Sequence, residues 1–318
     1  MSIALRSGQV MGVFGQHTEV LDDHGALWSC VQRGKRHDVA CGDVVGFTPS
    51  SSNQGVIEHI APRDTLFYRA DARREKFLAA NVDQVVIVTA GEPTPSQDLL
   101  SRCLVAAEAS RVAVLVIHNK ADLVQASSLW RPTLAYYQSL GYRVIELSAV
   151  TDTTPLLPYL SQHRSLLVGQ SGMGKSTLLN ALIPEARATT QAISLALDSG
   201  CHTTTATRAY ALPEGGQIFD SPGVQAFGLS YLSSTDLPAF FPEFSALQGH
   251  CRFPDCHHLK EPGCAFKAFA GDHPQRLQRL ATLLDVAQEN ARTRLPSAQP
   301  GRRRQQTKHH DPEDEGAP

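Results

Sequence analysis

The chain reads as a multidomain α/β protein: a small N-terminal β-barrel of OB-fold type, a doubly wound and mainly parallel sheet, and a C-terminal helical unit built around a metal. Three observations predict this. Five short apolar segments separated by turn residues fall within the first 60 residues. Buried strands then alternate with helices, and three cysteines with two histidines crowd into residues 251–264. A length of 318 residues allows two or three domains. The hydrophobic fraction of 42% supports real cores, and a net charge of -2 excludes a wholesale polyanion binder, so any nucleic-acid contact must be local.

The barrel is predicted from segments at 8–13, 18–21, 27–31, 43–47 and 55–58, punctuated by Asp22-Asp23-His24-Gly25, Arg33-Gly34-Lys35-Arg36 and Pro49-Ser50-Ser51-Ser52-Asn53. Five strands in this space suit an OB-fold, and an SH3-like barrel would give nearly the same pattern. From about residue 61 the rhythm changes. Residues 85–89, 112–117, 144–147 and 165–168 are apolar strands, 99–109 and 175–183 are helical, and 217–219 leads into Asp220. Strands buried on both faces and alternating with helices form a parallel sheet covered by helices. Beyond residue 229 a short helical region precedes the Cys/His cluster, and 274–294 closes the unit as a helix. Residues 295–318 carry Arg302-Arg303-Arg304 and an acidic run with almost nothing to bury, which predicts a disordered tail. The expected boundaries are therefore 1–61, 62–230, 231–294 and 295–318. No stretch approaches the ~20 apolar residues of a membrane helix, and residues 1–12 lack the core of a signal peptide, so a cytoplasmic protein without membrane contact is expected.

Two motifs set the chemistry. Gly169-Gln170-Ser171-Gly172-Met173-Gly174-Lys175-Ser176 fits the phosphate-loop pattern GxxxxGK[ST], in which backbone N–H groups converge on phosphate oxygens at a helix N-terminus. Lys175 would reach the β- and γ-phosphates, and the Ser176 hydroxyl would bind magnesium. Asn119-Lys120-Ala121-Asp122 fits NKxD, whose aspartate accepts from the ring N–H and exocyclic amine of guanine; adenine offers neither. Asn119 would tie this loop to the phosphate loop, the Lys120 stem would cover the base, and a backbone N–H at Ser148-Ala149 could meet the guanine oxygen. Asp220-Ser221-Pro222-Gly223 fits DxxG, with Asp220 on magnesium through water and the Gly223 N–H at the γ-phosphate. In ordinary GTPases NKxD follows the phosphate loop; here it comes about fifty residues earlier, the order of a circularly permuted GTPase. The nucleotide set is thus Asn119, Lys120, Ala121, Asp122, Ser148, Ala149, the eight loop residues, Thr177, Asp220 and Gly223.

Between phosphate loop and DxxG, Thr203 or Thr204 is placed to complete the magnesium shell. Val224 stands where many GTPases carry a water-orienting glutamine, so unassisted turnover should be slow, at best on the order of 10⁻⁴ to 10⁻² per second. His202, as a neutral imidazole, is the candidate for orienting water. Cys251-x4-Cys256-x-His258-x5-Cys264 supplies a closed tetrahedral zinc set, which leaves no position for catalytic water and makes the metal structural. His257 and His258 both satisfy the spacing. Arg33, Lys35 and Arg36 in a barrel loop are candidate RNA contacts.

Together these residues resemble the ribosome small subunit-dependent GTPase A family (RsgA/YjeQ). The resemblance runs from the barrel through Ala80-Asn81-Val82-Asp83-Gln84, the permuted motifs and His202-Thr203-Thr204-Thr205 to Phe241-Pro242-Glu243-Phe244. It implies a GTPase that binds the small ribosomal subunit and its rRNA late in maturation, with hydrolysis of GTP to GDP stimulated by that RNA; a monomer is expected. It also implies zinc on Cys251, Cys256, His258 and Cys264, and His202 as the hydrolytic residue. The chain departs from the family pattern at Cys201, at Met173 and in a closing helix without the usual Arg-Tyr pair near residues 276–280. Two other functions fit the generic motifs: an RNA-binding assembly switch with negligible hydrolysis, and a permuted GTPase with a non-ribosomal partner. Because NKxD reads guanine and no acceptor-substrate domain is evident, a metabolic kinase does not fit.

Overall fold

The computed structural model describes residues 5–33, 38–71, 74–184, 186, 207–221 and 229–293. Lys35, Arg36, Cys201, His202, Thr203, Thr204, Gly223, Val224 and the 295–318 tail lie outside them. Strands β1 (Arg6–Phe14), β2 (His17–Asp22), β3 (Leu27–Gln32), β4 (Val44–Ser51) and β5 (Gln54–Ile60) form the barrel. Their alternation turns Val10, Val20, Cys30, Val45, Phe47 and Ile57 inward as one core. The order β1-β2-β3-β5-β4 closes by pairing β4 back onto β1, and β3 runs parallel to β5. That Greek-key closure is OB-type, and it decides between the two barrels the local pattern allowed.

A hairpin follows, β6 (Leu66–Asp71) with β7 (Arg74–Ala80), where the sequence had predicted the start of strand–helix alternation. The central sheet then comprises β8 (Gln84–Ala90), β9 (Ala113–Asn119), β10 (Arg143–Glu146), β11 (Arg164–Val168), β12 (Arg208–Ala211) and β13 (Gln217–Asp220). Helices α1 (Gln97–Ser110), α2 (Val124–Ser139), α3 (Leu157–Leu160) and α4 (Lys175–Leu182) connect them. Ser96 starts α1 by accepting the Leu99 N–H on its hydroxyl. The order is β10-β9-β8-β11-β13-β12, parallel except for β12. Every residue of β8 is buried, as a strand covered on both faces requires. Strand β11 lies between β8 and β13, with earlier strands on one side and later strands on the other. This is the switch point at which α/β sheets place ligands, outside the carboxyl ends of their strands.

The C-terminal unit has a 3-10 turn at Leu237–Phe240 and helices α5 (Pro242–Ser245), α6 (Ala265–Ala270) and α7 (Pro274–Thr293). It shares one apolar core with the central sheet: Leu100, Leu104 and Val116 join Phe241, Phe244, Phe266 and Leu283. Each such side chain stabilises by ~1.5–3 kcal/mol when fully buried. In this core the Arg279 guanidinium is wholly enclosed, donating Nε to Glu243 Oε1 at 2.6 Å and Nη2 to Oε2 at 3.1 Å, with Phe241 beneath it at 4.4 Å. Glu243 also accepts from Tyr136 on α2. Among the described residues no helix is long and apolar enough to cross a membrane.

Candidate nucleotide and metal sites

Five segments leave the carboxyl edge of the sheet together: 91–96 after β8, 120–123 after β9, 147–150 after β10, 169–174 after β11, and Ser221 after β13. The phosphate loop turns through positive φ at Gly169, Gly172 and Gly174. At Gly174 the requirement is double, since φ is +89° and a Cβ would lie 2.3 Å from Asn119 Nδ2. Helix α4 starts directly after it, with Ser176 and Thr177 exposed at its first turn. Lys175 folds over the loop, its Nζ donating to the carbonyls of Gly169 at 2.6 Å and Gln170 at 2.9 Å.

Asn119 is buried and does what its motif requires. Its Nδ2 donates to Met173 O at 2.9 Å, and its Oδ1 accepts the Ala149 N–H at 2.9 Å. One side chain thereby joins the NKxD segment, the phosphate loop and the Ser148-Ala149 turn. Lys120 takes φ +58°, and Ala121 donates its N–H to Leu147 O at 3.1 Å, leaving Asp122 exposed at the rim.

The segment 91–96 belongs to this site and was missed from sequence. Gln170 Nε2 donates to Thr94 O at 3.2 Å, its Oε1 accepts from Ser96 N at 2.9 Å, and Lys120 Nζ donates to Glu92 O at 3.1 Å. Gly91, Pro93 and Pro95 at the end of a buried strand are the signal that could have found it.

Asp220 ends β13, and the following Ser221 accepts on its buried hydroxyl from Thr207 Oγ1 at 2.9 Å. Burial pushes the Asp220 carboxyl above its ordinary range, with Lys175 opposing. Burial likewise draws the Lys175 ammonium down, with Asp220 and Cys103 opposing. An anion received at Lys175 and a cation at Asp220 would each relieve that penalty.

His118, next to Asn119, is wholly buried, and neither ring nitrogen meets a hydrogen-bond partner among the described residues. Burial lowers its pKa, with Glu146 opposing and Arg131 reinforcing. The folded protein therefore holds it neutral at pH values where the unfolded chain protonates it. The pH-dependent part of its cost is absent above the unfolded value of ~6.5 and grows as pH falls below it. His118→Leu is expected to stabilise the fold by about 1–2 kcal/mol at pH 8 and by more at pH 5.5. Urea unfolding of both proteins at the two pH values checks this.

In the C-terminal unit Cys251, Cys256, His258 and Cys264 bring their ligand atoms within 4.8 Å of one another. His258 Nδ1 lies 3.5, 3.6 and 3.4 Å from the sulfurs of Cys251, Cys256 and Cys264, and the Cys251 and Cys264 sulfurs are 4.0 Å apart. Tetrahedral zinc, with Zn–S ~2.3 Å and Zn–N ~2.0 Å, sets donor separations of roughly 3.5–3.8 Å; the His258–sulfur distances match, the Cys251–Cys264 sulfurs lie slightly wider, and the donor types suit zinc. His257 stays outside this cluster, exposed beside Glu261. The His258 ring stacks on Phe266 at 4.0 Å and 9°, and Phe266 stacks on Phe244 at 5.3 Å and 7°, which locks the imidazole to the shared core. Of the basic barrel residues, Arg33 is described: it is mostly exposed and pairs with Glu58 at 3.1 Å.

A phosphate loop and an NKxD segment bridged by one asparagine, on a sheet whose NKxD strand precedes its phosphate-loop strand, define a circularly permuted GTPase. The RsgA GTPase family model matches residues 60–230. A Neisseria meningitidis protein named small ribosomal subunit biogenesis GTPase RsgA is 47% identical over 283 residues, covering 89% of this chain and 92% of that protein. The chain belongs to the RsgA GTPase family. The crystal structure of YjeQ from Thermotoga maritima superposes with a TM-score of 0.67 at 28% identity, covering 91% of this chain and 99% of that one. YloQ, described as a circularly permuted GTPase, shares the fold with a TM-score of 0.64 at 23% identity, covering 92% of this chain and 97% of that one.

Proposed function

We propose that this protein is a GTPase of small ribosomal subunit biogenesis, hydrolysing GTP to GDP and phosphate with turnover stimulated by the subunit. The observation that carries the nucleotide reading is Asn119, whose two hydrogen bonds join the NKxD segment, the Ser148-Ala149 turn and the phosphate loop. The family membership and the relatives' name support the ribosomal assignment. In this reading Asp122 and Lys120 recognise guanine, and Ala121, Ser148 and Ala149 line the base. Residues 169–177 cradle the phosphates. Asp220 and Gly223 meet the γ-phosphate side, and His202 orients the attacking water.

Magnesium, held by Ser176, by Thr203 or Thr204, and by Asp220 through water, would neutralise charge developing on the β- and γ-phosphates. One structural zinc on Cys251, Cys256, His258 and Cys264 would fix the C-terminal unit. Arg33, Lys35 and Arg36 would contact rRNA from the barrel. The protein would act as a cytoplasmic monomer, with working units at 1–61, 62–230 and 231–294 and a tail at 295–318.

The test is GTP hydrolysis by the purified protein alone, with small subunits and with large subunits. We expect slow basal turnover, roughly 10⁻⁴ to 10⁻² per second, a rise of at least ~10³-fold with small subunits only, and loss of both in Lys175→Ala. Turnover unchanged by small subunits would overturn the ribosomal assignment.

A further inference from the structure

The barrel and the central sheet form one continuous sheet of eleven strands, joined where β1 meets β12. The join is narrow. Among the described residues its register is a single pair, Gly12 with Arg208. Arg208 continues the same row into Asp220 on β13, and Asp220 into Leu167 at the end of β11. One row of backbone pairs thus runs from the barrel to Asp220 across two strand spacings, roughly 10 Å.

The side chains reinforce that row. Arg208 turns toward the barrel, where its Nη2 donates to Glu19 Oε2 at 2.6 Å and its guanidinium lies 5.4 Å from the Phe14 ring centre. Gln9 on β1 and Gln217 on β13 exchange amide hydrogen bonds at 2.8 and 3.1 Å. The residue before Arg208, Thr207, is the one bonded to Ser221 beside Asp220. A second anchor lies close to the join, where the Gly42 N–H donates to Val10 O on β1. Gly42 O accepts from Arg164 Nη2 at 2.9 Å and from Asn81 Nδ2 at 3.1 Å, and a Cβ on Gly42 would lie 2.2 Å from Ala80 O. The barrel is thus attached both to the foot of β11 and to β12.

We propose that Arg208, with Thr207, is a positioning residue that couples whatever the barrel holds to the setting of Asp220, and couples the bound nucleotide back to the barrel. The proposal rests on reading Asp220 as the magnesium-side carboxylate. Linkage makes the coupling reciprocal: a nucleotide that favours one setting of the β12–β13 pair changes barrel behaviour by the factor that the barrel's ligand changes nucleotide affinity. A residue that only braced the seam would not make the barrel respond to the γ-phosphate.

The test needs no ribosome. Amide hydrogen exchange over residues 6–22 is compared in the full-length protein with magnesium and either GDP or a non-hydrolysable GTP analogue. In the unaltered protein we expect exchange to differ about fivefold between the two nucleotides, the low end of ordinary coupling. The difference should vanish in Arg208→Ala and in Glu19→Gln, and return when the two charges are exchanged in Arg208→Glu with Glu19→Arg. Nucleotide affinities should stay within about twofold in all four proteins. If Arg208→Ala does not fold, Glu19→Gln and the exchanged pair decide. Nucleotide binding with no difference over residues 6–22, or a difference that survives both single substitutions, would overturn the coupling alone. A protein that bound no guanine nucleotide would overturn the proposed function and the coupling with it.

Discussion

Asp122→Asn is expected to weaken GTP binding by roughly 10³- to 10⁵-fold and to create affinity for the xanthine nucleotide. The aspartate sits exposed at the rim of the crevice, in a turn fixed by the Ala121 N–H on Leu147 O and the Leu123 N–H on Lys120 O. Neither bond uses its carboxylate, so the substitution leaves the backbone as it is. What changes is the pattern offered to the base. Guanine presents two donors, its ring N–H and its exocyclic amine, and a carboxylate accepts both. Asparagine sets an N–H₂ against one of them, leaving two donors face to face. Xanthine carries a carbonyl in place of the amine and restores the match. Titration with fluorescent GDP and XDP measures both affinities, and an unchanged melting temperature separates recognition from folding. Undiminished GDP affinity would mean that the base is read elsewhere.

Removing the metal is expected to have an effect of similar size, on folding. Zinc bound by three thiolates and one imidazole contributes an apparent ~10–16 kcal/mol in small domains, and that energy is folding energy. Here the four ligands reach the main core through the stack His258–Phe266–Phe244, and Phe244 packs in the same core as Leu100 and Leu104 of the nucleotide-side helix α1. Loss of the metal should therefore do more than loosen residues 251–264. It should also disturb the packing around the enclosed Arg279–Glu243 pair, since Glu243 and Phe244 are neighbours on α5. Chelation at neutral pH, or Cys256→Ser, should lower the melting temperature by about 10 °C or more and should lower it for the nucleotide-binding signal as well. Elemental analysis should return one zinc per chain. A nucleotide-binding transition indifferent to chelation would show that the two units melt independently.

Much of this was readable from the chain because the physics that writes it is local. The phosphate loop, NKxD and the Cys/His spacing are constraints on neighbours, and buried strands such as β8 announce themselves as uninterrupted apolar runs. What escaped was non-local or disguised. Whether the barrel was OB-like or SH3-like depended on β3 pairing with β5 and β4 with β1, which no window of sequence contains. The β6–β7 hairpin was missed because its turn, near Asp71 and Arg74, has no Asn-Gly or Asp-Gly pair to mark it. Nothing in the closing helix singled out Arg279, the largest fully buried side chain among the described residues; only its distant partner Glu243 explains its burial. Gln170 was placed in the phosphate loop, but nothing local told that its amide holds Thr94 and Ser96, some seventy-five residues earlier in the chain.

The permuted strand order also dictates when, during synthesis, the protein becomes able to bind its nucleotide. The barrel closes on contacts within the first 60 residues and is complete as soon as they emerge. The NKxD strand emerges early too, but Asn119 waits 54 residues for Met173, its partner in the phosphate loop. Strand β11 then lies against β8 on one side while its other neighbour, β13, is still unmade. A nascent chain therefore carries a finished barrel and a nucleotide site that lacks its magnesium-side carboxylate until residue 220 has left the exit tunnel. Long-range pairing of this kind is slow and leaves a strand edge exposed in the interval. For this topology the last strand of the sheet is the step at which a growing chain becomes a nucleotide-binding protein.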